Sequence, residues 1–319
     1  MLKIGQELEL NRIGLGCMGM SEFYGISNDN DSLKVMSKAV ELGINCFDTA
    51  DLYGNGHNEK LIGRFLKHSQ VKPAIATKCG IVRHKEIRPD GNFKRSYNGS
   101  AEYIINSCEA SLKRLGIECI DIFYLHRTDP GTPIEESTEA LAKLKSQGKI
   151  KAIGLSEVSY EELSRAHQVH PIDCLQSEYS LWSREVEDTI LPFCEKNNII
   201  FVAFSPLGRG LANPTINIDS NDFRVNIPRF SQQNMSANKP LFTLIESIGK
   251  NNGITNAQVC LAWLLQASKN LMAIPGTRHI HYLEQNILAE SLTLTMKELK
   301  QLDCAFSPDN VHGAKYLVT

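Results

Sequence analysis

No stretch of this 319-residue chain approaches the roughly 18 consecutive apolar residues that a membrane-spanning helix needs. The opening run, Met1-Leu-Lys-Ile-Gly-Gln-Glu, puts Gln6 and Glu7 where a signal peptide would carry its apolar segment. An excess of one charge is missing too. The 34 lysines and arginines face 36 aspartates and glutamates, a net charge of -2, so neither nucleic acid nor a membrane surface is an expected partner. The nine cysteines are odd in number and scattered, with no Cys-x-x-Cys pair. That speaks against a disulfide framework or a zinc site and for reduced thiols in the cytoplasm. Linkers and low-complexity segments are also lacking, so residues 1–319 are expected to form one domain. What is present is a hydrophobic fraction of 42%, enough for a large core. Oligomeric state is left open.

The dominant pattern is a repeated alternation of short and long segments. Short apolar stretches rich in β-branched and aromatic residues are expected strands: Ile13–Gly16, Cys46–Asp48, Ala74–Thr77, Cys119–Leu125, Ala152–Leu155, Cys174–Ser177, Ile199–Phe204 and Leu271–Ile274. Longer amphipathic stretches lie between them, such as Ile104, Ile105, Cys108, Leu112 and Leu115 at helical spacing. Helix starts are marked by Thr132-Pro133-Ile134-Glu135, Ser159…Glu162, Thr255…Gln258 and Thr295…Glu298. Strand–helix alternation means parallel strands with crossover helices, and eight units favour a closed (β/α)8 barrel.

Gly14-Leu-Gly16-Cys-Met-Gly19 matches the G-x-G-x-x-G of dinucleotide-binding turns. Its context does not fit. No helix opens on the third glycine, and no second strand ending in an acid follows at the right distance. A tight turn after the first strand is the simpler reading, with backbone free to pass close to a ligand.

In a barrel the chemistry belongs at the C-terminal ends of the strands. The second expected strand ends at Asp48 with Tyr53 just beyond, the third at Lys78 and the fourth at His126. Each alone has an ordinary account as a cap, a snorkelling amine or a satisfied loop imidazole. Four chemically complementary groups on one rim point instead to catalysis.

These segments resemble the aldo-keto reductase family over nearly the whole chain. The resemblance rests on the glycine turn at 14–19, Phe47-Asp-Thr-Ala-Asp-Leu-Tyr-Gly54, Asn58-Glu59, Ala76-Thr-Lys78, Ser111-Leu-Lys-Arg-Leu-Gly116 and Tyr124-Leu-His-Arg127. Gly148-Lys-Ile-Lys-Ala-Ile-Gly-Leu-Ser156, Gln176-Ser-Glu-Tyr-Ser180, Phe204-Ser-Pro-Leu-Gly-Arg-Gly210 and Ile274-Pro-Gly-Thr-Arg278 continue it. Gly154-Leu-Ser-Glu157 and Val311-His-Gly-Ala-Lys-Tyr316 are similar to the auxin-induced-like and pyridoxal reductase branch.

The resemblance implies a single (β/α)8 barrel that binds NADPH and reduces a small-molecule carbonyl. Its four catalytic positions fall on Asp48, Tyr53, Lys78 and His126. Tyr53 would give the proton, Lys78 would lower its proton affinity, Asp48 would hold Lys78, and His126 would orient the carbonyl. Asp51 is expected to be a solvated or capping neighbour.

For the cofactor, Ser156 and Gln176 match positions on the nicotinamide carboxamide, and Phe204 one that stacks on the ring. Ser205, Leu207, Gly208, Arg209 and Gly210 match the pyrophosphate loop. Gly276, Thr277 and Arg278 match the 2′-phosphate turn, with Gln285 and Asn286 at adenine. Many relatives carry asparagine where Glu157 stands, and Glu157 receives no role. The basic loop Arg83–Arg95 reads as a solvated face near the site mouth, with anion steering as the alternative. Met20, Tyr24 and Trp182 are expected either to line the substrate pocket or to pack the core. Cys79, next to Lys78, is either an activated thiol or one turned away by strand alternation, the latter being expected.

A non-enzymatic alternative comes from the same resemblance. Potassium-channel β subunits share fold, tetrad and cofactor. A first strand beginning almost at Met1, with no arm before it, is expected to disfavour that role.

Overall fold

The structure is a computed structural model that describes residues 1–5, 8–87, 93–213, 218 and 222–316. In chain order its strands are β1 (Leu2–Ile4), β2 (Leu8–Leu10), β3 (Leu15–Gly16), β4 (Cys46–Asp48), β5 (Ala74–Cys79) and β6 (Ile81–Ile87). They continue with β7 (Phe93–Tyr97), β8 (Ile120–Leu125), β9 (Ile150–Ser156), β10 (Cys174–Glu178), β11 (Ile200–Phe204) and β12 (Leu271–Ala273). Eight of these form one sheet in the order β12-β11-β10-β9-β8-β5-β4-β3, every neighbouring pair parallel. Parallel bridges Ile13↔Ala273 and Gly16↔Gly276 join the two edges. Gly14 N donates to Ala273 O at 2.9 Å, and Ala273 N to Arg12 O at 2.8 Å. The sheet is a (β/α)8 barrel, and all eight expected strands are in it.

The glycine motif finds its use in this closure. A Cβ on Gly16 would lie 2.7 Å from Ile274 O, so only glycine lets β3 approach the chain after β12.

Alternate residues along each strand go to different cores, as a two-residue period demands. Phe47, Phe123 and Leu125 face outward into the layer shared with the helices. Cys46, Ile122, Tyr124, Ala152, Cys174, Val202 and Met272 fill the barrel interior. Tyr124 fits there because Gly154 opposite has no side chain, since a Cβ would sit 2.2 Å from the ring.

The helical layer follows the start signals with one exception. Ser159, Thr255 and Thr295 each form a complete capping box with Glu162, Gln258 and Glu298. Thr132 does not cap the helix Ile134–Ser146. Its hydroxyl donates to Asp129 Oδ2 at 2.8 Å, and no side-chain cap bond forms. The helix Ala101–Leu115 buries Ile104, Cys108, Leu112 and Leu115 and ends at left-handed Gly116, φ 68°.

Two hairpins were not expected. β1 and β2 pair antiparallel, and Leu2, Ile4, Leu8 and Leu10 enter the barrel interior core. Asn45, immediately before β4, donates through Nδ2 to Glu9 O at 2.9 Å, which puts this hairpin at the N-terminal end of the barrel. β6 and β7 form a second antiparallel ribbon where a loop was expected; residues 88–92 of that basic stretch lie outside the described residues. Among the described residues no helix is long and apolar enough to cross a membrane.

Candidate active site

Lys78 has no solvent exposure, and its position explains the chain around it. Its Nζ donates to Asp48 Oδ1 at 2.5 Å, to Thr49 O at 2.8 Å and to Tyr53 Oη at 3.4 Å. Parallel register puts Asp48 beside Ala76 at the end of β4, so a lysine two residues further along β5 reaches it. Gln176, from β10 across the barrel, donates through Nε2 to the other Asp48 oxygen at 2.7 Å. Both carboxylate oxygens are thereby occupied, as a buried charge requires.

The turn from Thr49 to Tyr53 is held from behind by buried polar groups. Thr49 Oγ1 donates to Asn58 Oδ1 at 2.6 Å, and Asn58 Nδ2 donates to Cys17 O at 2.9 Å and Ser21 Oγ at 2.7 Å. Thr77 Oγ1 donates to Glu59 Oε1 at 2.6 Å, and Arg114 pairs with the other Glu59 oxygen at 2.5 Å. From the front, Glu22 Oε2 accepts from Gly54 N and from Arg83 at 2.9 Å.

Burial raises the Tyr53 phenol above its ordinary value, and Lys78 only partly offsets this. Lys78 acts in the expected direction, lowering the proton affinity of Tyr53, but desolvation of a wholly buried phenolate outweighs one ammonium 3.4 Å away. Tyr53 is thereby held as a neutral phenol. For Lys78, burial disfavours the charge, but Asp48 and the Tyr53 oxygen more than restore it. His126 is driven well below the ordinary imidazole range by burial and by Lys78, Arg127 and Arg95, so it is neutral. Its ring stands edge-on to Tyr53 with centroids 5.9 Å apart, and its Nδ1 is buried without a partner. An orphan polar atom beside a phenol and an ammonium marks a site built for something else to complete.

These groups close one end of a cavity of about 1390 Å³. Asp48, Tyr53 and His126 are on its wall, with Lys78 behind them. The wall continues through Ser156, Gln176, Phe204, Ser205, Leu207, Arg209 and Gly210 to Gly276, Thr277, Arg278, Gln285 and Asn286. Residues from the ends of β4, β8, β9, β10, β11 and β12 thus meet in a single trough. Ser205 just beyond β11 has φ 49°, a left-handed conformation unusual for serine that occurs where backbone shape is used.

A family model described as "Aldo/keto reductase family" matches residues 12–305. The chain belongs to the aldo/keto reductase family. It is 40% identical to "Probable aldo-keto reductase 1" of Glycine max over 321 residues, covering 99% of this chain and 91% of that protein. Among solved structures it resembles the glycerol dehydrogenase AKR11B4 of Gluconobacter oxydans, with a TM-score of 0.87 at 29% identity over 96% of both chains. It shares the fold of an aldo-keto reductase from Klebsiella pneumoniae solved with NADPH, with a TM-score of 0.75 at 24% identity over 100% and 98% of the chains.

Several residues of this family member stand differently from expectation. Gly208 is off the cavity wall, against Trp182. The Arg209 guanidinium is turned to Glu178 Oε2 at 2.7 Å and to Lys315 O at 2.7 Å, 4.4 Å from the Tyr316 ring centroid, so it ties the C-terminal segment to the rim. Arg278 donates to Ile26 O and to Tyr24 O at 2.8 Å, bridging the trough. Asp51 is only partly solvated: its Oδ1 is buried without a hydrogen-bond partner among the described residues, and burial with the nearby Glu59 charge pushes the carboxyl up to about 7. Tyr24 lines the cavity, whereas Met20 and Trp182 are buried packing residues. Cys79 is wholly buried in the outer core, and burial holds its thiol protonated. Glu157, at φ 54°, accepts from Glu178 N at 2.7 Å.

Among the residues missed in the sequence are Arg127, Phe223, Arg224 and Tyr316, all on the wall. Arg127 had a signal, since it directly follows His126. Phe223 had none: it is placed by contact with Tyr24, centroids 5.1 Å apart, across 199 positions of chain that only the fold brings together.

Proposed function

We propose that this chain is an NADPH-dependent reductase of aldehydes or ketones, with Tyr53 as proton donor and residues 1–319 acting as one catalytic unit in the cytoplasm. The observation that carries the reading is the buried Lys78 ammonium held between Asp48 and Tyr53 at the closed end of the trough.

The trough suits NADPH by its chemistry. Its wall has six lysines and arginines but only one acid, Asp48, which is already paired. A phosphate-rich ligand meets that requirement. Ser156 and Gln176 would hold the carboxamide, and Phe204 would cover one ring face. Ser205, Leu207, Arg209 and Gly210 would border the pyrophosphate. Gly276, Thr277 and Arg278 would take the 2′-phosphate, with Gln285 and Asn286 at adenine. Bound there, the nicotinamide would supply a hydride to the carbonyl carbon.

The protein's own part is proton delivery. As negative charge grows on the carbonyl oxygen, the Tyr53 proton passes to it. Lys78, kept charged by Asp48, stabilises the phenolate left behind. Neutral His126 would donate a hydrogen bond to the same oxygen without competing for the proton. The test is NADPH consumption by purified protein with a panel of carbonyls, 4-nitrobenzaldehyde and pyridoxal included. Saturable, aldehyde-dependent oxidation is expected. NADPH binding with no turnover on any member would instead favour a regulatory, cofactor-sensing protein.

A further inference from the structure

At the substrate end of the trough the charges do not balance. Lys78 is matched by Asp48, and Arg83 by Glu22, with both Glu22 contacts already made. Two further guanidiniums line the cavity beside His126. Arg127 donates to its own neighbour His126 O at 2.7 Å and to Ser156 Oγ at 3.3 Å. Arg95, on β7, lies 5.5 Å from the Phe23 ring centroid. Neither makes a salt bridge among the described residues, although Glu22, already bonded to Arg83, acts on Arg95 through its charge. Both act on His126 through their charge, which puts them within electrostatic reach of the reacting group. Around them the wall is apolar: Met18, Phe23, Leu52, Ile81, Phe93 and Tyr97.

Arg95 is exposed and Arg127 half-buried, so water carries their charge when no ligand is bound, and an anion entering beside the apolar wall would gain charge-assisted contacts there. We propose, resting on the carbonyl reductase reading above, that this site selects carbonyl compounds carrying an anionic group, a carboxylate or a phosphate, on an apolar body. Arg95 is the residue that recognises the anion, with Arg127 adding to the field. The carbonyl lies at Tyr53 and His126, the apolar body lies along Phe23, Leu52 and Tyr97, and the anion reaches toward the mouth. Arg95 is exposed on its outer side, so the contact is partly screened and falls with salt.

The test compares two matched pairs of aldehydes with NADPH. 4-Carboxybenzaldehyde is set against methyl 4-formylbenzoate, and 4-formylphenyl phosphate against 4-methoxybenzaldehyde. Members of a pair differ in intrinsic reactivity, so the deciding quantity is how the anionic-to-neutral ratio of kcat/KM changes between proteins. In Arg95→Gln the ratio falls roughly tenfold, through KM for the anionic member, as expected for a lost charge-assisted contact. Arg95→Lys retains most of it. Raising the ionic strength lowers the parent ratio more steeply than that of Arg95→Gln, where only the Arg127 field remains. The carboxylate and phosphate pairs report separately, so a loss confined to one pair names which anion the site takes. A ratio equal in parent and Arg95→Gln for both pairs overturns the inference while aldehyde reduction itself stands. Failure to reduce any of the four overturns the reductase reading and this inference together.

Discussion

The two ends of the barrel are made from the same strands and could hardly differ more. At the N-terminal end β4, β8 and β10 present Cys46, Ile122 and Cys174, closed by Leu2, Ile4, Leu8 and Leu10 of the first hairpin. Two to four residues further along the same strands stand Asp48, His126 and Gln176 around the buried Lys78. Strand period is what makes this possible. Alternate residues face inward, so a short step moves from an apolar layer to a charged one without changing the backbone. One end is built for stability, which lets the other hold groups that stability does not ask for.

Predictions follow from pushing on either end. The largest effect is expected for Lys78→Met. Turnover should fall roughly 10²–10⁴-fold, and Asp48 left buried without its cation should lower stability by about 3–5 kcal/mol. Adding Asp48→Asn should restore most of the stability and none of the activity, which separates the chemical need for the pair from any structural one. Denaturant melts and steady-state rates on both variants decide it.

At the other end, Leu10→Ala should cost about 2–5 kcal/mol through the cavity left in the interior core. The rate per folded molecule should stay at the parent level. A large rate loss in a fully folded Leu10→Ala protein would break the division between the two ends. Gly154→Ala works on the same core by overpacking, since its Cβ would fall 2.2 Å from the Tyr124 ring. A loss of about 1–3 kcal/mol is expected, read as a lower melting temperature.

Arg278→Ala should weaken NADPH by roughly 10- to 100-fold and NADH much less, because a charge-assisted contact to a 2′-phosphate is lost. Cofactor titrations give the comparison. Equal weakening of both would instead assign Arg278 to its bridge to Tyr24 and Ile26.

The smallest effect is that of pH. Tyr53 lies above the ordinary phenol value and His126 well below the imidazole one, so neither changes charge between about pH 6.5 and 9. The reduction rate should be nearly flat across that window. The His126 contribution to stability should decline as pH falls from about 6.5. The unfolded chain takes up a proton there that buried His126 refuses, so this contribution is present above that pH and lost below it. It is read in an Asp51→Asn background, because a carboxyl raised to about 7 contributes with the opposite sign over the same window.

What could be read from the chain alone tracks where local pattern and global fold agree. The strands that carry the site are continuous apolar runs ending in a polar residue, and Asp48, Lys78 and His126 stand at those ends. The first hairpin was missed because two three-residue strands offer too few alternations to register, although Leu2, Ile4, Leu8 and Leu10 do alternate. The β6–β7 ribbon was hidden by its charge, since its exposed positions carry Lys85, Glu86, Lys94 and Arg95 where a strand pattern would show apolar side chains. Asp51 misled for a different reason. A carboxylate in a loop is usually hydrated, but this half-exposed one has one oxygen, Oδ1, turned inside. Arg209 and Arg278 line the trough, yet their present hydrogen bonds join segments far apart in the chain, which no local motif reveals.

The central claim is that the polar end of the barrel is organised around proton transfer from Tyr53. Tyr53→Phe removes a single oxygen and keeps the ring against His126, so folding and NADPH binding should match the parent. Measured with the same purified protein, NADPH affinity by fluorescence should be unchanged while aldehyde reduction falls roughly 10²–10⁴-fold. A Tyr53→Phe protein that binds NADPH and reduces aldehydes at the parent rate would contradict the account.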